Sequence, residues 1–187
     1  MSLNYELIAT LCSSGVEFRT LGEIAKFKRG SSITKANVRN GPIPVLGGGL
    51  QPAYYHDESN LEGETIVVAG DGAYAGHVTY WQEPIFVSSH GFSIKPNNRI
   101  ALTKYVFYNL KKTQTQLYRK QVGAGVPNVH FRNVAPMSIP VPPLEVQQEI
   151  VRILDTFTEL EAELEAELEA ELEAELEAEL EAELEAE

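Results

Sequence analysis

The chain has 187 residues, of which 27 are acidic and 15 basic, giving a formal net charge of −12. Its single cysteine, Cys12, excludes an internal disulfide and a cysteine-based zinc cluster, and fits a reducing compartment. No apolar run approaches the roughly 18 residues of a membrane span, and no basic stretch followed by an apolar one opens the chain, so a cytoplasmic protein with no membrane partner is expected.

The charge is unevenly placed. Every odd position from Glu159 to Glu187 is Glu, which makes 15 carboxylates. Subtracting them leaves 12 acids against 15 bases, a net of +3 over the first 158 residues. A mildly basic head on a strongly acidic tail is an asymmetry that points towards nucleic acid. The length suits one compact domain of roughly 140 residues plus a helical appendage, divided as 1–142 and 143–187.

Along the head, "TLGEIAKF" (20–27) predicts a short amphipathic helix or turn, and "PIPVL" within 41–49 an extended piece between Gly and Pro. "ETIVVAGDGAYAGHVTYW" (64–81) predicts two β-rich runs around a Gly-rich turn, and "PIFVSSHGFSIKP" (84–96) a third and a fourth. Over 102–121, Tyr105, Val106, Tyr108, Leu110 and Leu117 fall in helical rhythm with basic residues outward. "MSIPVPPLE" (137–145) leads extended into a long helix, with Pro143 in its first turn. The fold class is α+β: an irregular β-rich domain followed by one long α-helix.

That helix changes character along its length. Val146, Ile150, Ile153, Phe157, Leu160 and Leu164 are spaced 4, 3, 4, 3 and 4, a heptad seam. Beyond Leu164 the leucines at 168, 172, 176, 180 and 184 are always four apart. At about 100° per residue each step advances the stripe by some 40°, so a partner following it coils right-handedly. Glu pairs four apart, such as Glu161 and Glu165, repel, and no Lys offsets them. The seam from Val146 to Leu172 predicts a helix that needs a partner.

Candidate chemistry is sparse. "GDGAYAG" (70–76) misses the dinucleotide-loop spacing by one and runs on into strand, so it is a hairpin turn. "LGGGLQP" (46–52) lacks the Gly-Lys-Ser/Thr ending of a P-loop. His56, His77, His90 and His130 stand at no metal-ligand spacing, and Ser88 and Ser89 before His90 form no nucleophile elbow. No Asp/Asn-Pro-Pro-Tyr/Phe methyltransferase motif is present, so no catalytic residue, cofactor or metal is expected. What remains is basic and aromatic: Lys26, Lys28, Arg29, Lys35 and Arg39, then Tyr54, Tyr55 and His56, then Lys104, Lys111, Lys112, Arg119 and Lys120. Such a set grips phosphates, while side chains on loop tips read base edges.

Four stretches together resemble the specificity subunits of type I restriction-modification systems: "GVEFRTLGEIAKFKRGSSIT" (15–34), "GPIPVLGGG" (41–49), "VGAGVPNVHFRNVAPMSIPVPPLEVQQEIVRILD" (122–155) and the long helix. The most specific part is "IPVPPLEVQQEIVRILD", with Gln147 near the helix start; Val146-Gln147-Gln148 departs slightly from the family's usual Glu-Gln. The resemblance implies a non-catalytic target recognition domain for double-stranded DNA and a spacer helix, the half of a subunit that normally carries two of each. It also implies an antiparallel coiled coil with a second copy, an interrupted palindromic site, and methyltransferase (modification) subunits as partners, with the restriction subunit where one is present. Four-residue repeats in such helices set the spacing between half-sites; each adds about 6 Å.

On this reading Lys28, Arg29, Lys35, Lys111, Arg119 and Lys120 contact phosphates. The base readers lie on loops around Gly48, Tyr54, Tyr55, Asp71, Tyr74, His90, Asn128 and His130. The alternative is a non-enzymatic scaffold built on the acidic helix; a hydrolase using Ser89 and His90 is a distant third.

Overall fold

The computed structural model describes residues 10–123 and 125–185, the stretch 177–185 through its backbone alone. The expected side chains of Leu180 and Leu184, and Glu187, lie outside what it describes. The chain divides into two compact units, one ending at Gln148 and one beginning at Glu149.

The first unit is built on a four-stranded antiparallel sheet ordered β2 (Ala25–Arg29), β8 (Gly91–Pro96), β5 (Thr65–Ala69), β6 (Val78–Trp81). Strand β5 is buried along its whole length, and its alternation divides the core. Ile66 and Val68 join Phe92, Ile94, Val106, Leu110 and Leu117 in the larger cluster, while Val67 joins Leu46, Ile85 and Val87 in the smaller. Helices α2 (Thr103–Lys112) and α3 (Gln114–Tyr118) supply the former. The latter is supplied by a three-stranded sheet ordered β4 (Tyr54–His56), β3 (Ile43–Leu46), β7 (Phe86–Val87). The edge strand β2 alternates Phe27 inward with exposed Lys26 and Lys28, and such charges discourage further pairing at that edge.

Most predicted elements are present, with instructive differences. "TLGEIAKF" is both helix and strand: α1 (Leu21–Ile24) is closed by a capping box in which Thr20 N–H donates to Glu23, and the chain then turns directly into β2. That hydrogen bond also holds the Glu23 carboxyl below the usual range. The helix expected over 102–121 breaks at Thr113, whose hydroxyl donates to the carbonyls of Asn109 and Leu110. Gln114 beyond the break donates to Gly76 O and accepts from Val78 N–H, tying α3 to the β5–β6 hairpin. The pairing of β1 (Phe18–Thr20) with β9 (Ser138–Pro140) was not foreshadowed in the pattern.

Helix α5 (Leu144–Glu185) runs 42 residues, about 63 Å, starting one residue after Pro143, whose carbonyl accepts from Val146 and Gln147. Short helix α4 (Phe131–Val134) precedes β9. Gln147 is fully buried. Its carboxamide accepts from Leu102 N–H at 2.9 Å and donates to Ile100 O at 3.0 Å and Pro142 O at 2.8 Å. Val146, expected on the seam towards a second copy, is only 2 % exposed and belongs to the chain's own interior. The free seam therefore begins later. Phe157, Leu160, Leu164, Leu168 and Leu172 are each more than half exposed, whereas Ile150 and Ile153 are intermediate.

Replacing Gln147 with Ala would strand a backbone donor and two backbone acceptors, each costing about 1–3 kcal/mol. Gln147→Ala is expected to lower the unfolding free energy in urea by about 3 kcal/mol or more. Gln148→Ala, at an exposed position, should stay within about 0.5 kcal/mol of the parent.

Candidate nucleic-acid interface

Five chain segments meet where the two sheets end. Parallel pairing of Leu46 with Val87 delivers the 47–49 turn beside the 88–90 turn, and Leu46 O accepts from Ser88 N–H at 2.7 Å. Gly30 N–H donates to Gly91 O, and Ser31 N–H to Val87 O, which brings in the end of β2. Gly70 N–H donates to His90 O at 2.7 Å. The fifth segment, 127–130, joins through Val129 N–H to Gly70 O and Gly72 N–H to Pro127 O.

Glycine makes this convergence possible. A Cβ on Gly30 would lie 1.9 Å from Ser88 O, and one on Gly48 would lie 2.3 Å from Asp71 O. Neither backbone neighbour can yield without moving its strand end. The glycine turn 46–52 thus acts through close approach, and Gly48 is a packing position against Asp71.

The recess at the meeting point is lined by Arg29, Asp71, Ser89, Phe92, Asn128 and His130, with a volume of about 60 Å³, so it holds a few waters. His90 stands at its rim, 63 % exposed, with Nδ1 at 2.9 and 3.0 Å from the two Asp71 carboxylate oxygens. His130 caps α4: its Nδ1 accepts from Arg132 N–H at 3.2 Å, and its ring lies 4.4 Å from that of Phe131. Arg29 is exposed and makes no ion pair among the described residues. Of the sequence-predicted residues, Arg29, Gly48, Asp71, His90, Asn128 and His130 share this one place.

The others lie elsewhere in the head. Tyr54 and Tyr55 are exposed on β4, Tyr74 is exposed in the β5–β6 turn, and Lys28 is exposed on β2. Lys35 sits on a single 3₁₀ turn (Lys35–Asn37). Lys111 lies in the last turn of α2, and Arg119 and Lys120 follow directly on α3. Gln121 there donates to Ala75 O, and Tyr118 Oη meets His77 Nδ1 at 3.4 Å. Burial, with Lys111 nearby, depresses the His77 pKa, so this imidazole is neutral at neutral pH.

Two candidates of the basic set have structural work. Arg39 pairs with Asp57 at 2.7 Å and Glu58 at 2.6 Å, which cancels its charge for an anion. His56 is buried, accepts from Arg39 N–H, and meets Phe86 edge-on. Lys95 escaped notice in the sequence, yet cross-strand register sets it opposite Lys26, with its ammonium donating to Glu62 O. Among the described residues no group of three or more potential metal ligands comes together, and no helix is long and apolar enough to cross a membrane.

Residues 13–174 match the family model described as type I restriction modification DNA specificity domain. Two Mycoplasma pneumoniae proteins are similar over 84 % of the chain: a putative type I specificity subunit at 65 % identity, and the specificity subunit of the type I restriction enzyme MpnII at 58 %. The matches cover 54 % and 49 % of those proteins, so the chain spans about half the length of these relatives. Crystal structures of an S subunit from Mycoplasma genitalium and of the HsdS subunit from Thermoanaerobacter tengcongensis share the fold. Their TM-scores are 0.70 and 0.60 at 21 % and 17 % identity, covering 77 % and 85 % of this chain and 40 % and 44 % of theirs.

Because the Gly48 backbone abuts Asp71, Gly48→Ala must displace the strand end that carries the Asp71–His90 pair. The expected cost in urea unfolding is about 1–3 kcal/mol. Gly125→Ala, whose added methyl meets nothing within 4 Å, should leave stability within about 0.5 kcal/mol.

Proposed function

The chain belongs to the type I restriction-modification DNA specificity family, and from that membership we propose that its head reads one half of a split DNA site. In this reading it directs a methyltransferase, and a restriction subunit where present, to that sequence, and catalyses nothing itself. The observation that carries the proposal is the recess: one cation, one imidazole and an amide (Arg29, His130 and Asn128) line it, and a second imidazole, His90, is held beside it by Asp71, these four drawn from three chain segments at the joint end of two sheets. Side chains of this kind hydrogen-bond base edges, and rigid strand ends hold them in register.

Phosphate contacts from Lys28, Lys35, Lys111, Arg119 and Lys120 would orient the duplex around the readers, with Tyr54, Tyr55 and Tyr74 as further exposed contacts. Lys26 and Lys95 on the outer face of β2 and β8 extend that basic surface. The exposed leucines of α5 support pairing with a second copy through antiparallel helices, and a two-fold protein calls for an interrupted palindrome. The carboxylate-rich part of α5 would then stand off the duplex, since like charge opposes phosphate.

The expected outcome with S-adenosylmethionine and DNA is no methyl transfer by the full chain alone, and transfer once the modification subunit is added. Transfer by the chain alone would refute the proposal. Affinity for duplex DNA should fall steeply with added salt as phosphate contacts release counterions. A scaffold built on the acidic helix would show no such slope. Sedimentation should report a pair of chains; a lone protomer at every concentration, even beside the modification subunit, would remove the two-fold reading.

A further inference from the structure

His90 and His130 flank one recess, yet their inner nitrogens face opposite kinds of partner. His90 Nδ1 lies against both oxygens of the Asp71 carboxylate, an acceptor, so this nitrogen carries the proton. His130 Nδ1 accepts the backbone N–H of Arg132, so this nitrogen is bare and Nε2 carries the proton. The outer nitrogen of neither ring has a protein partner among the described residues, and the exposed His90 ring opens to solvent.

We propose that the two imidazoles, in their neutral forms, are locked in opposite tautomers, with His90 presenting an acceptor at Nε2 and His130 a donor. His90 then takes the exocyclic amino group of adenine (N6) or cytosine (N4) in the major groove, and His130 gives its N–H to a base acceptor such as a purine N7, guanine O6 or thymine O4. Asp71 touches no base. It is a positioning residue that fixes which nitrogen of His90 is bare, and its own place is fixed in turn by the Gly48 backbone against its carbonyl. This inference rests on the DNA-reading function proposed above and adds the class of group that each ring recognises.

Two measurements on the full chain decide it. Long-range proton–nitrogen correlation spectra of the imidazoles at pH 8 should show Nδ1–H for His90 and Nε2–H for His130; the same tautomer at both would overturn the proposal, whatever the DNA does. A randomised duplex library, offered to the chain alone and beside its modification subunit, then supplies a bound sequence. His90→Asn and His130→Asn each keep an amide near the position of Nδ1 while deleting Nε2. His90→Asn and Asp71→Ala should relax the same position by about 5- to 150-fold, the range of one good base contact. At that position, replacing adenine with purine, or cytosine with its deamino analogue, should cost the parent chain the same factor and cost His90→Asn nothing further.

Equal losses in the parent and His90→Asn on removing the amino group would overturn the assignment. So would a uniform weakening of all sequences by Asp71→Ala, or relaxation of different positions by Asp71→Ala and His90→Asn. Failure of the parent chain to enrich any sequence, with both tautomers as stated, would instead refute the DNA-reading function and the base assignments with it.

Discussion

A single buried carboxamide governs how the head closes and how the long helix starts. Gln147 has no exposed surface, and an amide in that position is tolerable only because both N–H donors and its oxygen are engaged. Its three partners are backbone groups that regular structure leaves over. Leu102 and Ile100 lie in the link between β8 and α2, and Pro142 lies just ahead of α5. Leucine in the same volume would desolvate all three without replacing their bonds. The stretch "IPVPPLEVQ" is distinctive because each residue type is constrained: the prolines hold the lead-in extended and lack donors, and the glutamine two places after Leu-Glu answers the orphaned carbonyls.

The same accounting explains the recess. Strand ends release backbone groups that the ladder no longer pairs, and here they pair with one another: Gly30 with Gly91, Ser31 with Val87, Gly70 with His90 and Val129 with Gly70. Glycine at 30, 48 and 70 lets these backbones come close, so the turns are held from inside while Arg29 and His90 stay exposed. A polar group at a loop tip discriminates only if its position is fixed. On the proposed DNA-reading function, the anchoring would therefore serve specificity as well as stability, and loop 88–91 would carry both roles within four residues.

Local pattern made part of this legible. The β5–β6 hairpin shows in its β-rich runs and turn residues because its two strands are near in sequence, whereas the strands over 84–96 show only in their own composition, their partners on β2, β3 and β5 being distant. The β1–β9 pair does not, since it joins residues some 120 apart and each strand is only three residues long. Helix 102–121 reads as continuous because periodicity is blind to a threonine hydroxyl bonding backward and to a glutamine reaching across to Gly76. Val146 fits the heptad arithmetic perfectly well, but the head claims it first. Four of the proposed contact residues line one recess and two more, Gly48 and His90, adjoin it through Asp71; nothing in their numbering foretold that Arg29 and Asp71 would share it with Asn128 and His130.

The acidic repeat finally turns on relative magnitudes. Leu160, Leu164, Leu168, Leu172 and Leu176 are 51–66 % exposed on a helix that offers them nothing. Burying the exposed part of each against a second helix is worth about 1 kcal/mol or more, whereas each Glu pair four apart costs a few tenths. Apolar pairing can therefore outweigh the repulsion within one rod, and salt screens the repulsion between two. The spacing sets a second limit. A stripe that advances about 40° per leucine leaves a face about 100° wide after two or three steps, so straight helices could share only about three successive leucines. Longer contact obliges the pair to coil right-handedly, and each repeat added to such a spacer brings a rotation along with its 6 Å of length.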